Sequence, residues 1–181
     1  MNDSNSTLLE PNINALLQLR FETTGPLLIA GLRDPLDEHA AQKIPQLWRQ
    51  LMACVDEIPQ RVGNTDYGLC IHLQGYEYYY MAGCTVWDFT ELPGAFSGFI
   101  IPSQHYAVFT HTGHVSCIRN TIDFIFDQWL PNSNYRHATA PENALHFFER
   151  YGEKFNAQIG EGDIEIWLPV IKHSHKPDNK D

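Results

Sequence analysis

The chain has 181 residues, long enough to bury the core of one domain, and its 12 Lys and Arg against 22 Asp and Glu give a formal charge of −10. Nucleic-acid binding relies on clustered Lys and Arg to displace counterions from phosphates; no such cluster is present, which disfavours direct DNA or RNA contact. No run reaches the roughly 18 apolar residues of a membrane-spanning helix, and the N-terminus has no basic segment leading into an apolar one. Cys54, Cys70, Cys84 and Cys117 lie in apolar segments without a C-x-x-C pair, so they read as reduced core residues of a cytoplasmic protein.

Taken in order, residues 1–18 form a polar arm that closes on the short apolar turn Ala15-Leu16-Leu17. Residues 20–33 read as a strand bent at Gly25-Pro26. The spacing of Ile44, Leu47, Trp48, Leu51 and Val55 predicts an amphipathic helix, with Pro45 in its first turn and Pro59 beyond its end. Residues 67–73 and 78–86 are two strands joined as a hairpin through 74–77. Tyr78, Tyr79 and Tyr80 are so close together that at least one phenol turns inward, where its hydroxyl needs a partner. Residues 87–101, rich in Gly, Pro and aromatics, read as a crossing between halves.

A strand at 103–112 follows, with Tyr106 and Val108 on one face and His105, Ala107, Phe109 and His111 on the other. The stripe Ile118, Ile122, Ile125, Phe126 and Trp129 predicts a second helix over 115–129, capped by Thr112 or Ser116 and stopped at Leu130-Pro131. A polar loop over 135–143 comes next. Residues 145–151 are ambiguous: Thr139-Ala140-Pro141-Glu142 resembles a helix start, whereas as a strand Leu145, Phe147, Glu149 and Tyr151 would share a face. Asp163 to Pro169 alternates strictly, setting Ile164, Ile166 and Leu168 against Asp163, Glu165 and Trp167. From Lys172 the tail is polar.

The order strand, helix, strand, strand occurs twice. This predicts an α+β fold in which each half lays one helix on one face of a short antiparallel sheet, the opposite faces meeting around a cavity. Glu149 lies between aromatics, and a buried carboxylate must find a donor, take up a proton or meet a cationic ligand. The competing reading makes Glu149 and Glu165 ordinary surface charges. His105 and His111 stand about 20 Å apart along a strand, no Cys or acid completes a set with His114, and His173 and His175 lie in the tail, so no metal site is expected. There is no G-x-S-x-G nucleophile motif, and Trp48 and Trp129 read as core.

Four features together resemble the GyrI-like small-molecule-binding family, the effector-binding domain also found fused to AraC-type and MerR-type regulators. They are Phe21-Glu22 with Pro26 and Ala30-Gly31; Tyr79-Tyr80-Met81-Ala82-Gly83-Cys84; Tyr106, Val108-Phe109, His111 and Gly113; and Phe148-Glu149 with Tyr151, leading to Ile164 to Val170. The resemblance covers residues 19–171, between the arm at 1–18 and the tail at 172–181. It implies two repeats related by a pseudo-twofold axis, helices on one side of the antiparallel sheet, a ligand groove between the repeats, and a strand at 145–151. It also implies a ligand site with Glu149 among aromatics, Trp167 from the last strand and Tyr106 as a further lining residue. Glu165, Tyr80 and Tyr151 complete the expected set.

The expected ligand is a small cationic or amphipathic aromatic molecule, with no cofactor, metal, membrane or direct nucleic-acid partner. A protein partner or a homodimer is compatible with the acidic surface. The length leaves no room for a DNA-binding domain, so the expectation is a stand-alone member. Some members are hydrolases acting on cyclopropane-bearing compounds; in that case Glu149 is the acid or base and Glu165 or Tyr106 a second group. The family name also suggests a protein-interaction role, as an inhibitor of DNA gyrase.

Overall fold

The computed structural model describes residues 18–73, 77–138 and 144–173. The order is β1 (Arg20–Thr24), β2 (Leu27–Pro35), α1 (Ala40–Cys54), β3 (Arg61–Leu73), β4 (Glu77–Val86), β5 (Ser97–Ile101), β6 (Gln104–His111), α2 (Ile118–Phe124), α3 (Leu130–Asn132), β7 (Tyr135–His137), β8 (Ala144–Tyr151) and β9 (Ile164–Lys172). The strands pair antiparallel in one curled sheet, in the order β1-β6-β9-β8-β3-β4-β2-β5, with β7 on β9.

That order is nearly palindromic, as two repeats require. β2, α1, β3 and β4 make one half and β6, α2, β8 and β9 the other, with β3 and β8 side by side at the junction. Each half lends its first segment to the other, so β1 pairs with β6 and β5 pairs with β2. The two exchanged strands bend at Gly25-Pro26 and at Pro102-Ser103, and the bends touch: a Cβ on Gly25 would lie 2.7 Å from the Pro102 carbonyl oxygen. Gly25 also holds φ +107°, a left-handed conformation that favours glycine.

The curl creates three apolar clusters. Ile29, Leu69, Met81, Tyr106, Phe148 and Trp167 fill its inside. On the outside, Leu47, Leu51, Tyr80 and Cys84 pack beneath α1, and Phe109, Ile125, Trp129, Phe147 and Ile166 pack beneath α2. β9 is therefore buried on both faces from Ile164 to Val170. Each large side chain so enclosed contributes about 1.5–3 kcal/mol.

The strand at 145–151 overrides its local helix signal because β3 and β9 flank it on both edges. A register shift opposite Cys70 and Ile71 makes His146 the extra residue of a bulge. Leu145 therefore turns into the inner cluster while Phe147 packs beneath α2, which corrects the single face expected for Leu145 to Tyr151.

Other expectations are also corrected. Residues 97–101, within the predicted crossing, are β5, and 135–137, within the predicted loop, are β7. β3 begins at Arg61, and β9 runs to Lys172. α1 starts at Ala40, so Pro45 lies inside it rather than in its first turn. The second helix is capped by His114, whose Nδ1 accepts the Ser116 N–H at 3.1 Å, not by Thr112 or Ser116. It widens into a π turn at Ile125–Trp129 and continues to Asn132, past Pro131, whose missing N–H would break an α-helical ladder. Cys54 is half-buried and Cys117 exposed. The arm at 1–17, the turn at 74–76, the segment 139–143 and the tail from Ser174 lie outside the described residues.

Candidate functional site

Period-two geometry decides where each expected site residue goes. Glu149 stands opposite Gly68 on β3 and Ile166 on β9, on the helix-covered face. Gly68 leaves the space the site needs: a Cβ there would overlap the Tyr80 hydroxyl and sit 2.5 Å from Glu149 Oε2. Into that space Tyr80, from β4, donates its hydroxyl to Glu149 Oε2 at 2.6 Å. Tyr151, two residues on along β8, donates to the same oxygen at 2.8 Å. From α1, the Trp48 Nε1–H donates to the Tyr80 hydroxyl at 3.0 Å, and its ring meets Tyr151 edge-on at 5.2 Å.

Glu149 is 5% exposed, and no basic side chain among the described residues pairs with it. Burial raises its pKa, while the Tyr80 and Tyr151 hydrogen bonds draw it back down. The same burial, with the Glu149 charge close by, pushes both phenols well above their usual range and the Cys70 thiol up to about 12. Both phenols converge on Oε2, and no described side chain donates to Oε1. The site is thus a carboxylate held by neutral donors within an aromatic wall.

The helix-covered face continues past Cys70 and Phe147 to a second aromatic group. Phe126 stacks on His146 at 4.9 Å with ring planes 5° apart, and Tyr78 meets His146 edge-on at 5.3 Å. His137 bonds the His146 carbonyl through Nε2 at 2.6 Å. Burial lowers the pKa of His137 and, with the neighbouring His137 and His72, that of His146 to about 4. Leu36 packs against both outer clusters and so lies where the two helices' territories meet.

The other three expected residues lie inside the curl. Trp167 stands opposite Phe148 and stacks on it at 5.3 Å, one residue out of phase with Glu149. Tyr106 is fully buried; its hydroxyl donates to the Pro102 carbonyl at 2.8 Å and accepts from Gln104 at 3.2 Å. Glu165 accepts from Trp167 Nε1 at 3.0 Å, from Arg20 at 2.7 Å and from Arg150 at 3.4 Å. The sheet therefore gathers Glu149, Tyr80 and Tyr151 on one face and separates them from Trp167, Tyr106 and Glu165 on the other.

Two members of the Glu149 group, Trp48 and Gly68, are absent from the expected set. Trp48 was hidden among the core positions of its helix stripe, whereas a glycine inside the strand-like run 67–73 is itself a signal of close approach. Among the described residues, no group of three or more His, Cys, Asp or Glu is placed to hold a metal, and no helix is long and apolar enough to cross a membrane.

Among proteins of known role, the chain is similar to the transcriptional regulator BrlR of Pseudomonas aeruginosa, 26% identical over 129 residues. The match covers 70% of this chain and 46% of BrlR, so the chain spans about half the length of that relative. Its fold is similar to that of SAV2435 bound to tetraphenylphosphonium, with TM-score 0.67, 20% identity, and coverage of 84% of this chain and 93% of that one. It is similar to a putative bacterial transcription regulation protein from Staphylococcus aureus MU50, with TM-score 0.61, 22% identity and coverage of 85% and 98%. It also resembles the EcmrR C-terminal domain, with TM-score 0.58, 18% identity and coverage of 87% and 99%. At these identities the structures speak for the fold. The sequence profile of the GyrI-like small molecule binding domain matches residues 17–171, nearly the whole chain, and with this match the chain belongs to the GyrI-like family.

Proposed function

We propose that this chain is an effector-binding module that captures a cationic, aromatic or amphipathic small molecule against Glu149. The observation that carries this reading is a buried carboxylate whose hydrogen-bond partners are two phenols, with no cation among the described residues. Two phenolic donors ease the burial of the charge without neutralising it, which leaves a strong local attraction for a positive ligand. Trp48, Tyr80 and Tyr151 then offer ring faces, each cation–π contact adding roughly 0.5–2 kcal/mol. Phe126 and His146 extend the apolar strip beyond Cys70 and Phe147 on the same face.

Support also comes from SAV2435, whose ligand tetraphenylphosphonium is a lipophilic cation, and from the regulators among the relatives. Binding would serve transcriptional regulation or drug sequestration. Trp167, Tyr106 and Glu165 act on the ligand indirectly, by holding β8 from behind through the Phe148–Trp167 stack.

The test is a thermal-shift comparison of tetraphenylphosphonium with neutral triphenylphosphine oxide, in the wild type and in Glu149→Gln, followed by mass spectrometry. A cation-specific shift that the variant loses at least about ten-fold in affinity, with the ligand recovered unchanged, is the expected result. Equal loss for both compounds would overturn the charge pairing. A cyclopropane-bearing compound added to the same screen and recovered hydrolysed would make Glu149 an acid–base catalyst instead.

A further inference from the structure

A second concave site lies on the reverse of the same strands. A cleft of about 440 Å³ is lined by Ile71, Met81, Phe89 and Phe99, with Arg33, Tyr79 and Ser97 contributing the polar side chains of its wall. Ile71 follows Cys70 along β3 and Tyr79 precedes Tyr80 along β4, so alternation turns this cleft away from Glu149. The volume falls within the roughly 300–1,000 Å³ of small-molecule sites.

Its electrostatic sign is opposite to that of the first site. Arg20, Arg61, Arg119 and Arg150 each pair with a carboxylate. Arg33 pairs with none among the described residues and lies 5.6 Å from the Tyr79 ring centroid. Arg49 and Arg136 likewise have no carboxylate partner among the described residues, and of these three guanidiniums it is Arg33 that lines the cleft. Ser97 stands opposite Gly31, two residues before Arg33 on β2, which makes Ser97 and Arg33 diagonal neighbours roughly 7–8 Å apart. A carboxylate or sulfonate between them receives a planar two-pronged donor from one side and a hydroxyl from the other.

We propose that this cleft binds a small organic anion with an apolar body, of the alkyl or aryl carboxylate class. The anionic head sits between Arg33 and Ser97, and the body lies against Ile71, Met81 and Phe99. The site is independent of the cation site at Glu149.

Calorimetric titration of the whole chain with octanoate, and with octanamide as its neutral isostere, tests this. Octanoate is expected to bind more tightly than octanamide, and Arg33→Gln to weaken octanoate at least about ten-fold while leaving octanamide unchanged. Ser97→Asp, which gives Arg33 an internal carboxylate, is expected to have the same effect. Both positions are at least partly exposed, so both variants keep the fold. Glu149→Gln is expected to leave octanoate binding untouched, which separates this site from the cation site. The proposal is overturned if octanoate fails to bind at millimolar concentration, if Arg33→Gln binds it as the wild type does, or if Glu149→Gln abolishes binding.

Discussion

Glu149 and Glu165 sit on adjacent strands, buried to 5% and 7% exposure, and differ in what surrounds them. Glu165 is held by Arg20, Arg150 and the Trp167 N–H, so its charge is neutralised within the fold. Glu149 has Tyr80 and Tyr151, which hydrogen-bond it but bring no charge. Burial alone therefore does not mark a binding residue. A buried carboxylate with internal cations serves the structure, and one with neutral donors alone is available to a cationic ligand.

The comparison breaks most sharply at Glu165. Glu165→Ala leaves the buried Trp167 N–H without its acceptor and sends Arg20 and Arg150 back to Glu22 and Asp163 alone, and is expected to cost about 3 kcal/mol of unfolding free energy in urea. Glu149→Gln has no cation to strand and is expected to cost far less, so a larger loss there would erase the distinction. Gly68→Ala should come next, at about 1–3 kcal/mol by thermal unfolding, because its Cβ intrudes on the Tyr80 hydroxyl and Glu149. Tyr80→Phe or Tyr151→Phe should each cost about 1 kcal/mol and shift the Glu149 titration further upward.

The pH dependence sharpens the same contrast. A carboxyl whose pKa is raised on folding favours the native state below the usual carboxylate range and loses that contribution as pH climbs through the raised value. The wild type should show this fall in unfolding free energy and Glu149→Gln should not. His146 works in the opposite direction. Held at about 4, it stays neutral in the fold while the unfolded chain protonates, so stability falls as pH drops from the ordinary histidine range toward 4, and His146→Gln should flatten that limb.

Much of this was legible in the sequence. The duplicated strand-helix-strand-strand order and the two helix stripes follow from periodicity and reappear in the structure, whereas the strict alternation at 163–169 marked only one core face of a strand that is buried on both. Glu149 stood out because a carboxylate between aromatics has few inexpensive environments. What the sequence could not supply was phase. Glu149 and Trp167 lie on different strands, and a register differing by one residue would have put them on the same face. The bulge at His146 likewise reverses Leu145 with no local signal. β5 escaped notice because its residues, Ser97-Gly98-Phe99-Ile100-Ile101, become a strand through pairing with the distant Leu27 to Gly31 of β2.

The most direct test of the account is the Glu149 titration, followed by carbon NMR of the side-chain carboxyl with and without tetraphenylphosphonium. A midpoint above the usual carboxylate range is expected in the empty protein, with a marked fall when the cation binds, because a nearby positive charge favours the ionised form. A midpoint that the cation leaves unmoved would contradict it.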